Sequence, residues 1–221
     1  MIFRRSVVVL STLFAVACGA NTPVAPTTLN TSPSSLASVT TAGGAPHALI
    51  ASAPVKPYKA NGEGRVTKIA WASGQGPAPG ITSTFDGRCT VPSDYVITAA
   101  VIGEGTHLGR FTGQMEHCSQ LVWTPQGPAG ATYGDGRFTL SAANGDTITG
   151  MYTNSESGID ASGLRWFRDD WTITGGTGRF ADATGHGQQG GAFNDFLAML
   201  AGAPIKLWME GSIAYSAADP R

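Results

Sequence analysis

Material for chemistry is sparse in this chain: four histidines, three cysteines and one run of adjacent charges. Glu116-His117-Cys118 has the composition of a metal site. On an extended strand, however, neighbouring side chains point to opposite faces, so His117 cannot share an ion with both neighbours. His107 and His186 would have to come from elsewhere to complete a tetrahedral set. The spacing therefore predicts no metal and no cofactor. A nucleophile elbow of the GxSxG kind is absent from the sequence, so a Ser-His-Asp site has no motif behind it. Arg168, Asp169 and Asp170 read as solvated surface. His107 is the polar residue with the most to offer. On a strand over 106–116 it shares a face with Gly109, Phe111, Gly113 and Met115, while Thr106, Leu108, Arg110 and Thr112 face water. One titratable group among apolar and small residues is what a barrel presents to a ligand, so His107, Phe111 and Met115 are the candidate binding residues. A structural histidine satisfied by hydrogen bonds is the plainer alternative.

These residues sit behind an export signal. Arg4 and Arg5 precede a short apolar run that ends at Ala17, too short to span a bilayer, which takes about 20 apolar residues. Ala15-Val16-Ala17-Cys18 resembles the bacterial lipobox, in which the cysteine becomes the lipidated N-terminus. That resemblance implies a signal peptide over 1–17, a lipid on Cys18 and a protein held at a membrane by more than one acyl chain. In a Gram-negative host, Gly19 after the cysteine points to the outer membrane. Loss of residues 1–17 removes two of the 14 basic residues and leaves a net charge of about −3 against 15 acidic ones. No basic cluster remains to track phosphates, so nucleic acid is not an expected partner. Cys89 and Cys118 are the even remainder in an oxidising compartment and are expected to bridge.

Residues 18–57 are rich in Ser, Thr, Pro and Ala, and Lys56 is their only formal charge, so they form a tether that cannot bury enough apolar surface to order itself. From residue 58 to 221 aromatics, charges and glycines are interleaved. Glycine and proline interrupt the chain too often for ordinary helices. Strands are expected over 66–71, 81–85, 95–102, 106–116, 121–124, 137–142, 147–153, 164–174, 186–193 and 205–215, which makes a single all-β domain, a sandwich or barrel. Asn144-Gly145 marks a hairpin. A three-residue loop, Ala143 to Gly145, pairs Leu140 with Ile148 and Phe138 with Gly150 and keeps apolar residues on one face. Residues 193–201 fit one or two helical turns over a barrel end, as a plug or as a gate.

Three patches carry a family likeness. They are Gly105-Thr106-His107-Leu108-Gly109-Arg110-Phe111-Thr112, then Ala142-Ala143-Asn144-Gly145-Asp146, then Thr172-Ile173-Thr174-Gly175-Gly176-Thr177-Gly178-Arg179-Phe180 followed by Gly185. Together they resemble a group of secreted bacterial proteins of uncharacterised role. The last also resembles the GGTGRF-type turn of plant dirigent proteins and the related turn of allene oxide cyclases. The likeness implies a calycin-like antiparallel barrel of about eight strands, with Gly175, Gly176, Gly178, Phe180 and Gly185 forming a structural corner. A phosphate loop does not fit there, because residues 182–184 leave no room for a useful helix before Gly185.

The leading expectation is a non-catalytic, lipid-anchored barrel that binds a small apolar molecule or an envelope partner. The first alternative is a cyclase- or isomerase-like enzyme working in the barrel cavity, since such chemistry needs shape and one or two polar groups more than a motif. The second alternative is a structural or inhibitor-like surface module, which a barrel filled by side chains would favour.

Overall fold

The computed structural model describes residues 53–216. The expected signal peptide, Cys18 and most of the expected tether lie outside them. Eight antiparallel strands follow one another around a closed barrel: β1 (Val55–Trp71), β2 (Tyr95–Gly105), β3 (Gly109–Thr124), β4 (Gly127–Ala142), β5 (Thr147–Ile159), β6 (Arg165–Gly176), β7 (Thr184–Phe193) and β8 (Ile205–Ala214). β1 closes the ring by pairing with β8 from Val55↔Ala214 to Gly64↔Ile205. Val55, Lys56 and Pro57, assigned to the tether on composition, thus belong to a strand. Proline is tolerated there because it stands near the strand's start.

The Asn144-Gly145 hairpin has the expected register, with Leu140↔Ile148, Phe138↔Gly150 and Gly145 at φ 91°. The expected strands over 106–116 and 121–124 fuse into β3. The expected strand over 81–85 does not form, and only Ser83↔Ser93 makes a bridge in that segment. In a closed barrel both flanks of every strand are taken, so a ninth segment finds no edge to join. Phe85 and Asp86 adopt positive φ instead and turn the chain.

That loop, between β1 and β2, is held to the outside of β3 by the Cys89–Cys118 disulfide, with Cα atoms 5.8 Å apart, and by an Arg88–Glu116 ion pair at 2.6 Å. Both cysteines are buried beside Val96. The bridge closes a loop of 29 residues, for which chain entropy predicts a contribution of about 3.6 kcal/mol. Cys89→Ser with Cys118→Ser is expected to lower the denaturant midpoint accordingly. An unchanged midpoint would refute this estimate.

One barrel end is sealed by the three sequence patches, which the fold brings together. A 3-10 turn, Gly178–Phe180, follows β6 and inserts Phe180 into the core, fully buried against Tyr215 at 4.9 Å. Arg179 donates to the carbonyl of His107 at 2.8 Å and pairs with Asp146 at 3.4 Å, so the corner ties the β2–β3 turn to the β4–β5 hairpin. Gly178 has φ 58°, and a Cβ there would overlap the Asp146 carboxylate. At Gly176 the carbonyls of Thr147 and Phe180 leave no space for a side chain. Gly185 at the start of β7 faces Ile173.

The other end carries one short helix, α1 (Phe196–Leu200), whose N-cap Asp195 accepts from Ala198 N at 2.7 Å. Phe196 and Met199 turn inward and pack with Tyr95, Ile97, Leu121 and Ile205. Leu197 is left exposed.

Candidate functional site

Between the sealed end and α1 the side chains do not fill the barrel. A pocket of about 190 Å³ remains, partly open to solvent, since exposed Ile102, Ile159 and Trp166 line it beside the inward-facing residues; apolar cavities of about 150 Å³ in proteins accept a single benzene-sized ring. Its walls differ. β8, β1 and β2 contribute apolar and small groups, among them Ala60, Val66, Ala99, Val101, Leu207 and Met209. Strands β3 to β7 contribute most of the polar side chains, His117, Tyr133, Tyr152, Asp169 and Gln189 among them, with Ser119, Ser157 and Arg165 beside these and Asn61 on β1.

Strand irregularities aim these groups inward. The β3–β4 register shifts between Glu116 and Cys118, so that Asp135 and Gly136 together oppose His117. Asp135 takes the left-handed conformation that such a bulge needs, at φ 51°, and its carboxylate accepts from Thr90 N at 2.7 Å. Gly136 makes room for the Tyr152 ring, which lies where a Cβ would stand. A second shift between Thr153 and Glu156 on β5 lies opposite Asp169. Asp169 then faces the interior two residues before the buried Trp171 and directly opposite Gln189.

The polar groups form two linked pairs. His117 Nδ1 lies 2.8 Å from the Tyr152 hydroxyl, which donates its own hydrogen to the Glu116 carbonyl at 3.1 Å. With the hydroxyl hydrogen on the Glu116 carbonyl, Nδ1 carries the ring proton and Nε2 a free lone pair. The imidazole stacks on Tyr133 with centroids 4.6 Å apart. Burial, with a smaller push from Arg88, holds its pKa down to about 3, so it is neutral at any ordinary pH. Tyr133 donates to Asp169 Oδ2 at 2.7 Å. Asp169 is 1% exposed, and burial, helped by the neighbouring Asp170 charge, raises its carboxyl to about 7 against the opposite pull of hydrogen bonds from Tyr133 and Gln189. Asp169 Oδ1 and Gln189 Oε1 are buried without a hydrogen-bond partner.

Of the binding residues expected from sequence, Phe111 and Met115 line this cavity and His107 does not. His107 stands in the β2–β3 turn, ahead of β3, at φ 69°. Its ring is held by the Pro57 carbonyl at 3.0 Å and the Tyr215 hydroxyl at 3.2 Å. The turn also reverses its neighbours: Leu108, expected to face water, is 3% exposed. Asp169, expected in a solvated triplet, is the most buried acid among the described residues. Two signals were available. His117 continues the alternation of Phe111, Gly113 and Met115, and Asp169 precedes Trp171 and Ile173 on their face.

Phe196 and Met199 border the cavity from the α1 side. Phe196→Ala is expected to widen the cavity and to cost roughly 2–3 kcal/mol, less than a ring packed on all sides, because one side already meets empty space. Denaturant melts together with binding of one- and two-ring hydrocarbons check this. A larger loss with no change in ligand size would make Phe196 a simple plug.

Compared with known proteins, the chain matches no family model, no curated protein and no solved structure. The candidate site therefore rests on its own geometry.

Proposed function

We propose that this protein is an exported, lipid-anchored β-barrel that holds a small, largely apolar molecule in its interior. The cavity carries this reading. An eight-stranded barrel is just wide enough either to be filled by side chains or to hold one small ligand, and here about 190 Å³ is left open between an apolar wall and a polar one. The surface-module reading needs a filled barrel and loses its support. For export the support is the short apolar run ending at Cys18, together with a disulfide of the kind that persists in oxidising compartments. Kinship with the dirigent and allene oxide cyclase barrels rests on the corner patch, and an analogy of fold alone assigns no activity.

Native mass spectrometry of the protein purified from the membranes of its own host tests the proposal. A bound mass in the range of a one-ring or short-chain molecule is expected. Consistently empty protein, even after incubation with host lipid extract, would count against it. Cys18→Ala is expected to release the protein from membranes and to abolish labelling by a fatty acid. Wild-type protein that takes up no label would defeat the anchoring.

A cyclase- or isomerase-like activity is the second reading, favoured by one observation. Asp169, whose carboxyl titrates near neutrality, sits against Tyr133 on the polar wall of the pocket, an arrangement suited to proton transfer. Under this reading the extracted molecule is returned chemically changed after incubation with fresh protein.

A further inference from the structure

Asp169 and Gln189 are cross-strand partners on β6 and β7, so their side chains stand side by side on the cavity wall. Each is at least nine-tenths buried, and each presents an oxygen, Oδ1 and Oε1, that has no hydrogen-bond donor. Buried acceptors are rarely left bare, and two adjacent ones lining one cavity call for a donor from outside the chain. The Tyr133 and Tyr152 hydroxyl hydrogens are committed to Asp169 Oδ2 and to the Glu116 carbonyl, and below about pH 7 the Asp169 carboxyl keeps a proton that it can share with Gln189, so the two oxygens call for an outside donor once that proton is lost.

We propose that the ligand is a primary amine on a small apolar body, its amino group bridging Asp169 Oδ1 and Gln189 Oε1 while its ring or chain lies against the β8–β1–β2 wall. This inference rests on the barrel being a receptor and names the chemistry of what it receives. A hydroxyl group brings one hydrogen and leaves one oxygen bare, whereas an amino group brings enough for both. A carboxylate brings none and adds a charge beside Asp169. The carboxyl and amine share a single transferable proton, so the pair carries no net charge into the barrel whichever group holds it, which limits the desolvation cost. Titration of Asp169 near neutrality keeps that exchange open. His117 stays neutral and does not repel a cation.

The test uses four probes with the same ring, toluene, benzyl alcohol, benzylamine and benzoate, titrated into the full chain at pH 8 by calorimetry. Benzylamine is expected to bind at least tenfold more tightly than benzyl alcohol, and benzoate most weakly. Asp169→Asn is expected to erase the amine's advantage and leave toluene binding in place. Gln189→Met, which keeps the volume and removes the amide, is expected to shrink the amine-to-alcohol ratio by about tenfold, as the loss of one good hydrogen bond does. Benzyl alcohol or benzoate binding as tightly as benzylamine would overturn the proposal, as would an amine preference that survives Asp169→Asn. Toluene bound with no preference for the amine would remove this inference and leave the receptor reading standing. If none of the four binds, both fall.

Discussion

Asp169→Asn is expected to stabilise the protein above pH 7, by on the order of 4 kcal/mol, a gain that vanishes in acid. The carboxyl is raised in the folded state from its ordinary 3.8 to about 7, so its contribution to stability is present below about pH 4 and is lost as pH rises through 7. Asparagine has no charge to desolvate. Its carbonyl can accept from Tyr133, and its amide nitrogen can reach the bare Gln189 oxygen. His117 has the opposite sign. Its folded pKa of about 3 lies below the ordinary 6.5, so its contribution is present above pH 6.5 and is lost as pH falls toward 3. In the wild type the two slopes oppose each other between about pH 4 and 6.5. In the variant only His117 is left, and stability should climb with pH from about 3 to 6.5 and then level off. The other groups facing Asp169 from neighbouring elements are Tyr133 on β4, Tyr152 on β5, Gln189 on β7 and Asp170 on its own strand. Burial holds both tyrosines protonated throughout this range. Urea melts of both proteins between pH 3.5 and 8.5 decide the matter. Parallel stability curves would show that Asp169 is not the buried acid described above.

Trp171→Ala should lower stability by about 3–5 kcal/mol, which for a domain of this size is a fall in Tm of roughly 10–15 °C. Trp171 is 1% exposed and meets Tyr58 edge-on at 5.6 Å. Its indole N–H donates to the Gln188 carbonyl at 2.9 Å. The ring lies over Gly187 and Gly211, where any Cβ would collide with it. Its removal leaves a void between two bare strands that cannot collapse without breaking the β7–β8 ladder. Trp171→Phe, which keeps the ring and loses only the hydrogen bond and part of the volume, should cost about 1–2 kcal/mol. A loss below about 1 kcal/mol for the alanine variant would mean that the core relaxes far more freely than this packing allows.

The legible parts of the fold and site share a property: their information is local. The β class follows from glycines and prolines that break every helix-length run. The Leu140↔Ile148 register follows from a turn residue and two alternating strands beside it. The short α1 turn follows from the five apolar residues Phe196 to Leu200, which Asp195 caps in the structure. The bridge between Cys89 and Cys118 is the longest-range feature read in advance, and it needed only a count of cysteines and a compartment.

What failed was inference along a strand whose phase or boundary is set by distant partners. His107 was placed on the inward face by starting β3 three residues too early; the turn that removes it depends on Tyr215, Pro57 and Arg179, which come from three other segments. The segment over 81–85 has the residues of a strand but no free edge to pair with, because barrel closure through β1 and β8 is decided by all eight strands at once. Asp169 was read as solvated because it stands among charges in sequence. Its inward direction depends on the phase of β6, anchored by Trp171, and on an irregularity in the neighbouring β5. The sequence by itself determined the β class, the Asn144-Gly145 hairpin, the corner glycines and the cysteine pair, since each depends on residues within a few positions or on composition. Only the tertiary structure decided that a cavity remains and that His117, Tyr133, Tyr152, Asp169 and Gln189 share its wall. The width of a closed barrel and the phase of five strands around it are properties of the whole ring, which no single stretch of sequence contains.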